Sequence, residues 1–143
     1  MLTSAEPVEL AQALRLAVGR FARRLRQGTL GQLTPSQHSV LASLSRHGTT
    51  SLGLLAEIEG VAPASISGVV ARLVDKGMVN RSPNPEDGRS FLVGLTELGR
   101  DVLEKGREER TAIVADRLQR LSPGERQTLA AAVVILDRLG EEE

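Results

Sequence analysis

The 143-residue sequence has no cysteine, no tryptophan and no tyrosine, and Phe21 and Phe91 are its only aromatic residues. Without cysteine, disulfides, thiolate metal sites and thiol-based redox sensing are all excluded. With so few aromatics the apolar fraction is mostly Leu, Val and Ala, a mixture that favours helices over strands. No apolar run approaches the ~18 residues that a membrane span needs. Nothing near the N-terminus resembles a signal peptide, so the expected compartment is the cytoplasm, with no membrane partner. Histidine is nearly absent too. His38 and His47 stand alone, and neither lies in a motif that would set a nucleophile beside a base, so an enzyme is not expected. A metal site at His38 would need a cluster of ligands around it that the sequence does not supply; the expectation is no metal and no cofactor.

The length suits one domain, 1–143, large enough to bury a core. Formal net charge is zero, from 18 basic and 18 acidic residues, which by itself argues against a nucleic-acid partner. The charges are unevenly placed, however. Between Leu10 and Thr50 there are Arg15, Arg20, Arg23, Arg24, Arg26 and Arg46 and no acid, whereas the chain closes on Glu141, Glu142 and Glu143. Such asymmetry fits either a solvated basic face or a surface for a polyanion.

Periodicity divides the chain into helices with one short break. Leu10, Leu14, Ala17, Val18, Phe21 and Leu25 form a stripe on an amphipathic helix over 8–26, ended by Gly28 and Gly31. Thr34-Pro35-Ser36-Gln37 reads as a capping box opening a second helix with Val40, Leu41 and Leu44 inward. Ser51 can cap a short third helix that breaks at Gly60, and Pro63 opens a fourth that ends at Gly77. On this fourth helix Ile66, Val69, Val70 and Leu73 share one side, while Ala64, Ser65, Gly68 and Arg72 make a small, polar opposite side. Two strands follow, Met78 to Arg81 and Ser90 to Leu95, joined by SPNPEDGRS, in which Asp87-Gly88 signals a hairpin turn. Thr96 then caps a long helix through about Arg120, and Ser122-Pro123-Gly124-Glu125 opens the last one.

A short helix, a tight turn, a helix with a small polar face and then a hairpin compose a winged helix-turn-helix. The expected fold is mainly α with a small β-hairpin: a dimerisation helix over 1–30, the winged module over 34–95 and dimerisation helices over 96–143. A recognition helix must bring hydroxyls or guanidinium groups close to base edges, and Ser65, Ser67 and Arg72 fit that need. Arg89 lies past the wing turn, where it can reach the negative potential of a narrow minor groove. Asp87 is either plain turn chemistry or an orienting partner for a nearby arginine, and Arg81 is a second candidate for phosphate.

Residues 51–103, SLGLLAEIEGVAPASISGVVARLVDKGMVNRSPNPEDGRSFLVGLTELGRDVL, resemble the core signature of the MarR family of multiple-antibiotic-resistance type regulators. LVDKGMV, PEDGRS and LTELG occur in order at that family's spacing. The resemblance implies a homodimeric winged helix-turn-helix DNA-binding regulator, usually a repressor, often released by a small amphipathic or phenolic ligand. Carried over by position, recognition-helix contacts fall on Pro63, Ala64, Ser65, Ser67, Gly68 and Arg72, and wing contacts on Asp87 and Arg89. Three positions depart from the family's pattern: Ala62 replaces a polar cap, Pro63 a basic residue and Gly68 a polar or basic one. Affinity is therefore expected to lean on Arg89, Arg72 and the backbone amides at the helix start.

Dimerisation also follows from the pattern of apolar residues. Leu10, Leu14, Val18 and Phe21 on the first helix and Leu129, Val133 and Leu136 on the last extend beyond what a small winged module can cover, and a second copy is the simplest cover. The alternative is packing of the first helix on the last two. A twofold dimer would read a palindromic operator in double-stranded DNA, with half-sites about one helical turn, roughly 10 base pairs, or a near multiple apart. A ligand cleft beside the dimer helices would be mainly aliphatic, with Arg23, His38 or Arg46 at its rim. The competing reading is a winged module for protein interaction with little DNA affinity, motivated by the donor-poor recognition helix.

Overall fold

Local capping chemistry sets most of the element boundaries. In the computed structural model, which describes residues 6–29 and 31–141, the chain runs through α1 (Pro7–Thr29), α2 (Pro35–His47), β1 (Thr50–Ser51), α3 (Leu52–Glu59), α4 (Pro63–Asp75), β2 (Val79–Asn84), β3 (Asp87–Leu95), α5 (Glu97–Gln119) and α6 (Pro123–Glu141). At α2 the capping box is complete: the Gln37 N–H donates to Thr34 Oγ1 and the Thr34 N–H donates to Gln37 Oε1, both at 3.2 Å. Ser51 Oγ accepts the Leu54 N–H at the start of α3, and Thr96 Oγ1 accepts the Gly99 N–H at the start of α5. Gly60 ends α3 in the left-handed region at φ 65°, a conformation that costs a residue with a Cβ but not glycine. α1 runs further than the sequence suggests, with Gly28 inside the helix and only Gly31, at φ 57°, beyond it.

By packing, the chain divides into Met1–Glu108 and Glu109–Glu143, and the division falls inside α5. The first unit holds a core in which Val40, Leu41 and Leu44 of α2, Leu55 and Ala56 of α3, Ile66, Val70 and Leu73 of α4, Val79 of β2 and Val93 of β3 are all buried. Three helices thus close over one face of the sheet. Two further contacts fix where the helices sit. Ser39 Oγ and Ser43 Oγ of α2 donate to the two carboxylate oxygens of Glu59 at 2.7 and 2.5 Å, pinning the end of α3. Gly99 passes so close to the Met78 carbonyl that a Cβ there would overlap it. Glycine is therefore required where α5 leaves the sheet, and the Thr96 hydroxyl donates to the Gly77 carbonyl at the same junction, at 2.6 Å. In the second unit α6 has no buried residue.

The sheet is antiparallel with order β1-β3-β2. Only two of its three strands are expected from the sequence; β1 is two residues long, too short for any alternation, and exists by pairing Thr50 with Val93 and Ser51 with Leu92. The wing also differs from expectation. Its turn is Pro85-Glu86, while Asp87 and Gly88 belong to β3, and the pairing slips between Pro83↔Phe91 and Asn84↔Asp87. Side chains explain the shift. Asn84 Oδ1 accepts the Glu86 N–H and Asp87 Oδ1 accepts the Arg89 N–H, each at 3.0 Å. Two successive Asx-type bonds close the tip around a proline whose φ is already set for a turn.

Candidate nucleic-acid interface

All nine positions expected to meet DNA are exposed: Pro63, Ala64, Ser65, Ser67, Gly68, Arg72, Arg81, Asp87 and Arg89. On α4 this follows from the buried side. Once Ile66, Val70 and Leu73 are committed to the core, the 3.6-residue period turns Ala64, Ser65, Gly68 and Arg72 outward. The outward face carries two small residues, a hydroxyl and one guanidinium, so another surface can approach the α4 backbone closely. Ala62 occupies the cap position in extended backbone and offers no side-chain acceptor. The first-turn amides of α4 are left without the side-chain partner that α2 and α3 possess.

In the wing, Asp87 acts on Arg89 through the main chain. Its carboxylate accepts the Arg89 N–H rather than gripping a guanidinium, which is the turn chemistry among the two roles open to it from the sequence. The result is still orientation: the tip backbone is fixed just before Arg89, and the guanidinium projects from it into solvent. Ser90 Oγ donates to the Asp87 carbonyl and accepts from Asn84 Nδ2, closing the same loop. Arg81 sits elsewhere. It pairs with Val93 in mid-strand, and directly opposed residues share a face, so it rises from the side of the sheet that carries the buried Val93, away from the tip.

Two concave features adjoin these residues. A groove of 450 Å³ separates the start of α2 from α4, lined by Thr34, Ser36, Gln37, Ala64, Ser65, Gly68, Val69 and Arg72. Sequence reading finds the α4 side of this groove and misses the α2 side, because the two strips lie some thirty residues apart and only the capping motif marks Thr34 and Gln37. A second cleft, of 530 Å³, lies between the end of α1 and α2. It gathers Arg23, Arg26, His38 and Arg46 with Gln27, Pro35, Ser39 and Ala42. The three rim residues named from the sequence therefore do meet, joined by Arg26, and no carboxylate lines the cleft.

Comparison with known proteins identifies the pattern. The MarR family model matches residues 33–91. An HTH-type transcriptional regulator of Mycobacterium bovis is 38% identical over 93% of this chain and 94% of its own length. The chain belongs to the MarR family. The HTH-type transcriptional repressor MdtR of Bacillus subtilis is 35% identical over 70% of this chain and 63% of its own. The crystal structure of RV1404 from Mycobacterium tuberculosis superposes with a TM-score of 0.81 at 30% identity, covering 98% of this chain and 99% of that one. The M. bovis and B. subtilis relatives bear the names of transcriptional regulators, the second of a repressor. Among the described residues, no group of three or more His, Asp or Glu side chains gathers as metal ligands, and no single helix is long and apolar enough to cross a membrane.

Proposed function

We propose that this MarR-family regulator is a cytoplasmic, ligand-responsive, homodimeric repressor that binds a palindromic operator. In this reading α4 of each copy enters the major groove and the wing tip lies against the minor groove. The observation that carries it is the outward face of α4: Ala64, Ser65, Gly68 and Arg72 are exposed along a helix whose other face is sealed into the core. A small face with hydroxyl and guanidinium donors is what close approach to base edges requires. The uncapped Ala64 N–H at the start of α4 suits a phosphate, as does Arg72, and Arg89 suits the minor groove.

Apolar residues on the surface of one chain support the dimer. Leu10, Val18 and Phe21 on α1 and Leu129, Val133 and Leu136 on α6 are exposed, and Leu14 is half-buried. These side chains are already about half covered, so burying the remainder of each is worth about 1 kcal/mol, which a second copy of the chain supplies. For the ligand, the cleft between α1 and α2 is lined mainly by polar side chains rather than the aliphatic ones expected, and offers guanidinium groups beside Pro35 and Ala42. It suits a small amphipathic molecule bearing an anionic or phenolic oxygen, held with little aromatic stacking. A second reading, a winged module for a protein partner, is favoured by Ala62, Pro63 and Gly68, which leave α4 poor in side-chain donors.

Fluorescence anisotropy with duplex DNA from upstream of the protein's own gene separates the two. The expected result is saturable binding that survives excess competitor DNA and weakens steeply between low and moderate salt. No binding at either salt would discard the DNA reading in favour of the protein partner.

A further inference from the structure

A half-buried carboxylate without a counter-ion borders a pocket that neither the DNA-binding face nor the arginine cleft uses. Glu59 is the last residue of α3 and is half-buried. Ser39 Oγ and Ser43 Oγ of α2 donate to its two oxygens. Among the described residues it forms no ion pair with Lys, Arg or His. A carboxylate has about four lone-pair sites, so two hydroxyls fill only part of its acceptor capacity. They supply hydrogen bonds and leave the negative charge without an opposite one beside it.

The pocket encloses 320 Å³ between α2 and the turn that leads from α3 into α4. Its apolar walls include Val40, Val61, Ile66 and Val69, and its polar groups are the Glu59 carboxylate and the hydroxyls of Ser36, Ser39 and Ser65. Val61 is 45% exposed, so apolar surface is left open at this site. Glu59 is the only charged residue in the lining. Every polar group there can accept a hydrogen bond. That set calls for a compact apolar body ending in a cationic donor. The cleft between α1 and α2 shares Pro35 and Ser39 with this pocket and has the opposite character, three arginines and no carboxylate.

We infer that this pocket binds a small lipophilic amine, with its ammonium on Glu59 and its apolar body against Val61, Ile66 and Val69. An ammonium offers several N–H donors, which Glu59 and the bordering serine oxygens can accept, and the bond to the carboxylate is charge-assisted. The site is separate from the proposed ligand cleft, whose arginines select the other sign of charge. Ser36 and Ser65 stand in the first turns of α2 and α4, so a bound amine touches both helices, one of them the helix whose outer face is proposed to read DNA.

Titration calorimetry of the full chain with benzylamine, at neutral pH and constant ionic strength, tests this. Benzyl alcohol presents the same ring without the charge. Benzylamine should bind saturably at one site, and benzyl alcohol on the order of tenfold more weakly. Glu59→Gln keeps an acceptor oxygen for a serine and removes the charge, so it should bring benzylamine down to the level of the alcohol. Benzoate, an anion of similar size, should not displace the amine. Backbone amide shifts of the wild type locate the site without any variant and serve if Glu59→Gln fails to fold: benzylamine should move the signals of Ser36, Ser39, Val61 and Ser65. Absence of saturable benzylamine binding, equal affinity in a folded Glu59→Gln, displacement by benzoate, or shifts confined to other elements would each overturn the proposal.

Discussion

Helices α4 and α6 carry the same kind of apolar stripe and meet opposite surroundings. On α4 the stripe is sealed, with Ile66, Val70 and Leu73 at 2% exposure or less; on α6 Val133 is 53% exposed and Leu139 55%. The difference shows what each helix has left to offer. For α4 the apolar side has found its cover within the chain, so the face open to a partner is the small polar one, suited to the polar edges and phosphates of a duplex. For α6 the apolar side itself is open, and only another apolar surface can cover it without leaving polar groups unpaired. One pattern in the sequence thus serves two roles, decided by whether the same chain supplies the cover.

Acids placed on the open stripe should break this contrast with the largest effect. Val133→Asp with Leu136→Asp leaves two charges on the face proposed to receive a second copy, so the protein should sediment as a monomer. Losing the tether between two half-site readers should cost about a hundredfold or more in operator affinity, from effective concentration alone. Both side chains are already accessible in the single chain, so the winged module should unfold at its usual temperature. A doubly substituted protein that still sediments as a dimer would refute the interface.

Truncation within the sealed stripe comes next. Leu73 is fully buried, and Leu73→Ala should lower the free energy of unfolding in urea by about 2–5 kcal/mol through lost transfer energy and the cavity left behind. Leu139→Ala, made in the monomeric background, should change it by about 0.5 kcal/mol or less. Equal costs at the two positions would mean that α6 is covered in the monomer and would remove the contrast.

How much of this was legible depends on how far apart in the chain the interacting groups lie. The capping boxes at Thr34 and Ser122, the caps at Ser51 and Thr96 and the two faces of α4 are properties of a few adjacent residues, and they stand where the sequence placed them. The winged module could be assembled from those parts. Strand β1 could not, because Thr50 and Ser51 are a strand only by virtue of β3, some forty residues later. The wing turn was displaced for a related reason. Asp87-Gly88 is a good turn by local statistics, yet Asn84 and Asp87 each satisfy a backbone N–H two residues on and move the turn to Pro85-Glu86. The groove was half seen. Ser65, Gly68 and Arg72 follow from helical period, while Thr34, Ser36 and Gln37, some thirty residues earlier, join them only in the tertiary structure.

The smallest effect separates the two capping boxes. At α2 the third residue of the box is Gln37, buried and uncharged; at α6 it is Glu125, exposed and ionisable. The Ser122 N–H donates to Glu125 Oε2 at 2.8 Å, and the Glu125 N–H donates to Ser122 Oγ at 3.2 Å. Hydrogen bonding from the Ser122 backbone first, and from its side chain second, holds the Glu125 carboxyl below the usual glutamate range. A folded-state value below the unfolded one means that the unfolded chain binds the proton more tightly. The stabilisation is complete above the ordinary glutamate pKa of about 4.3 and is lost as pH falls below that value through the lowered folded one. Glu125→Gln keeps a capping side chain but cannot titrate. Its melting temperature should therefore lie slightly below the wild type's at neutral pH, and the two should converge as pH drops below about 4. Melting curves followed from neutral to acid pH check this directly. A difference that stays constant across the range would show that the carboxylate's charge contributes nothing at the start of α6, leaving the two boxes equivalent in spite of their different third residues.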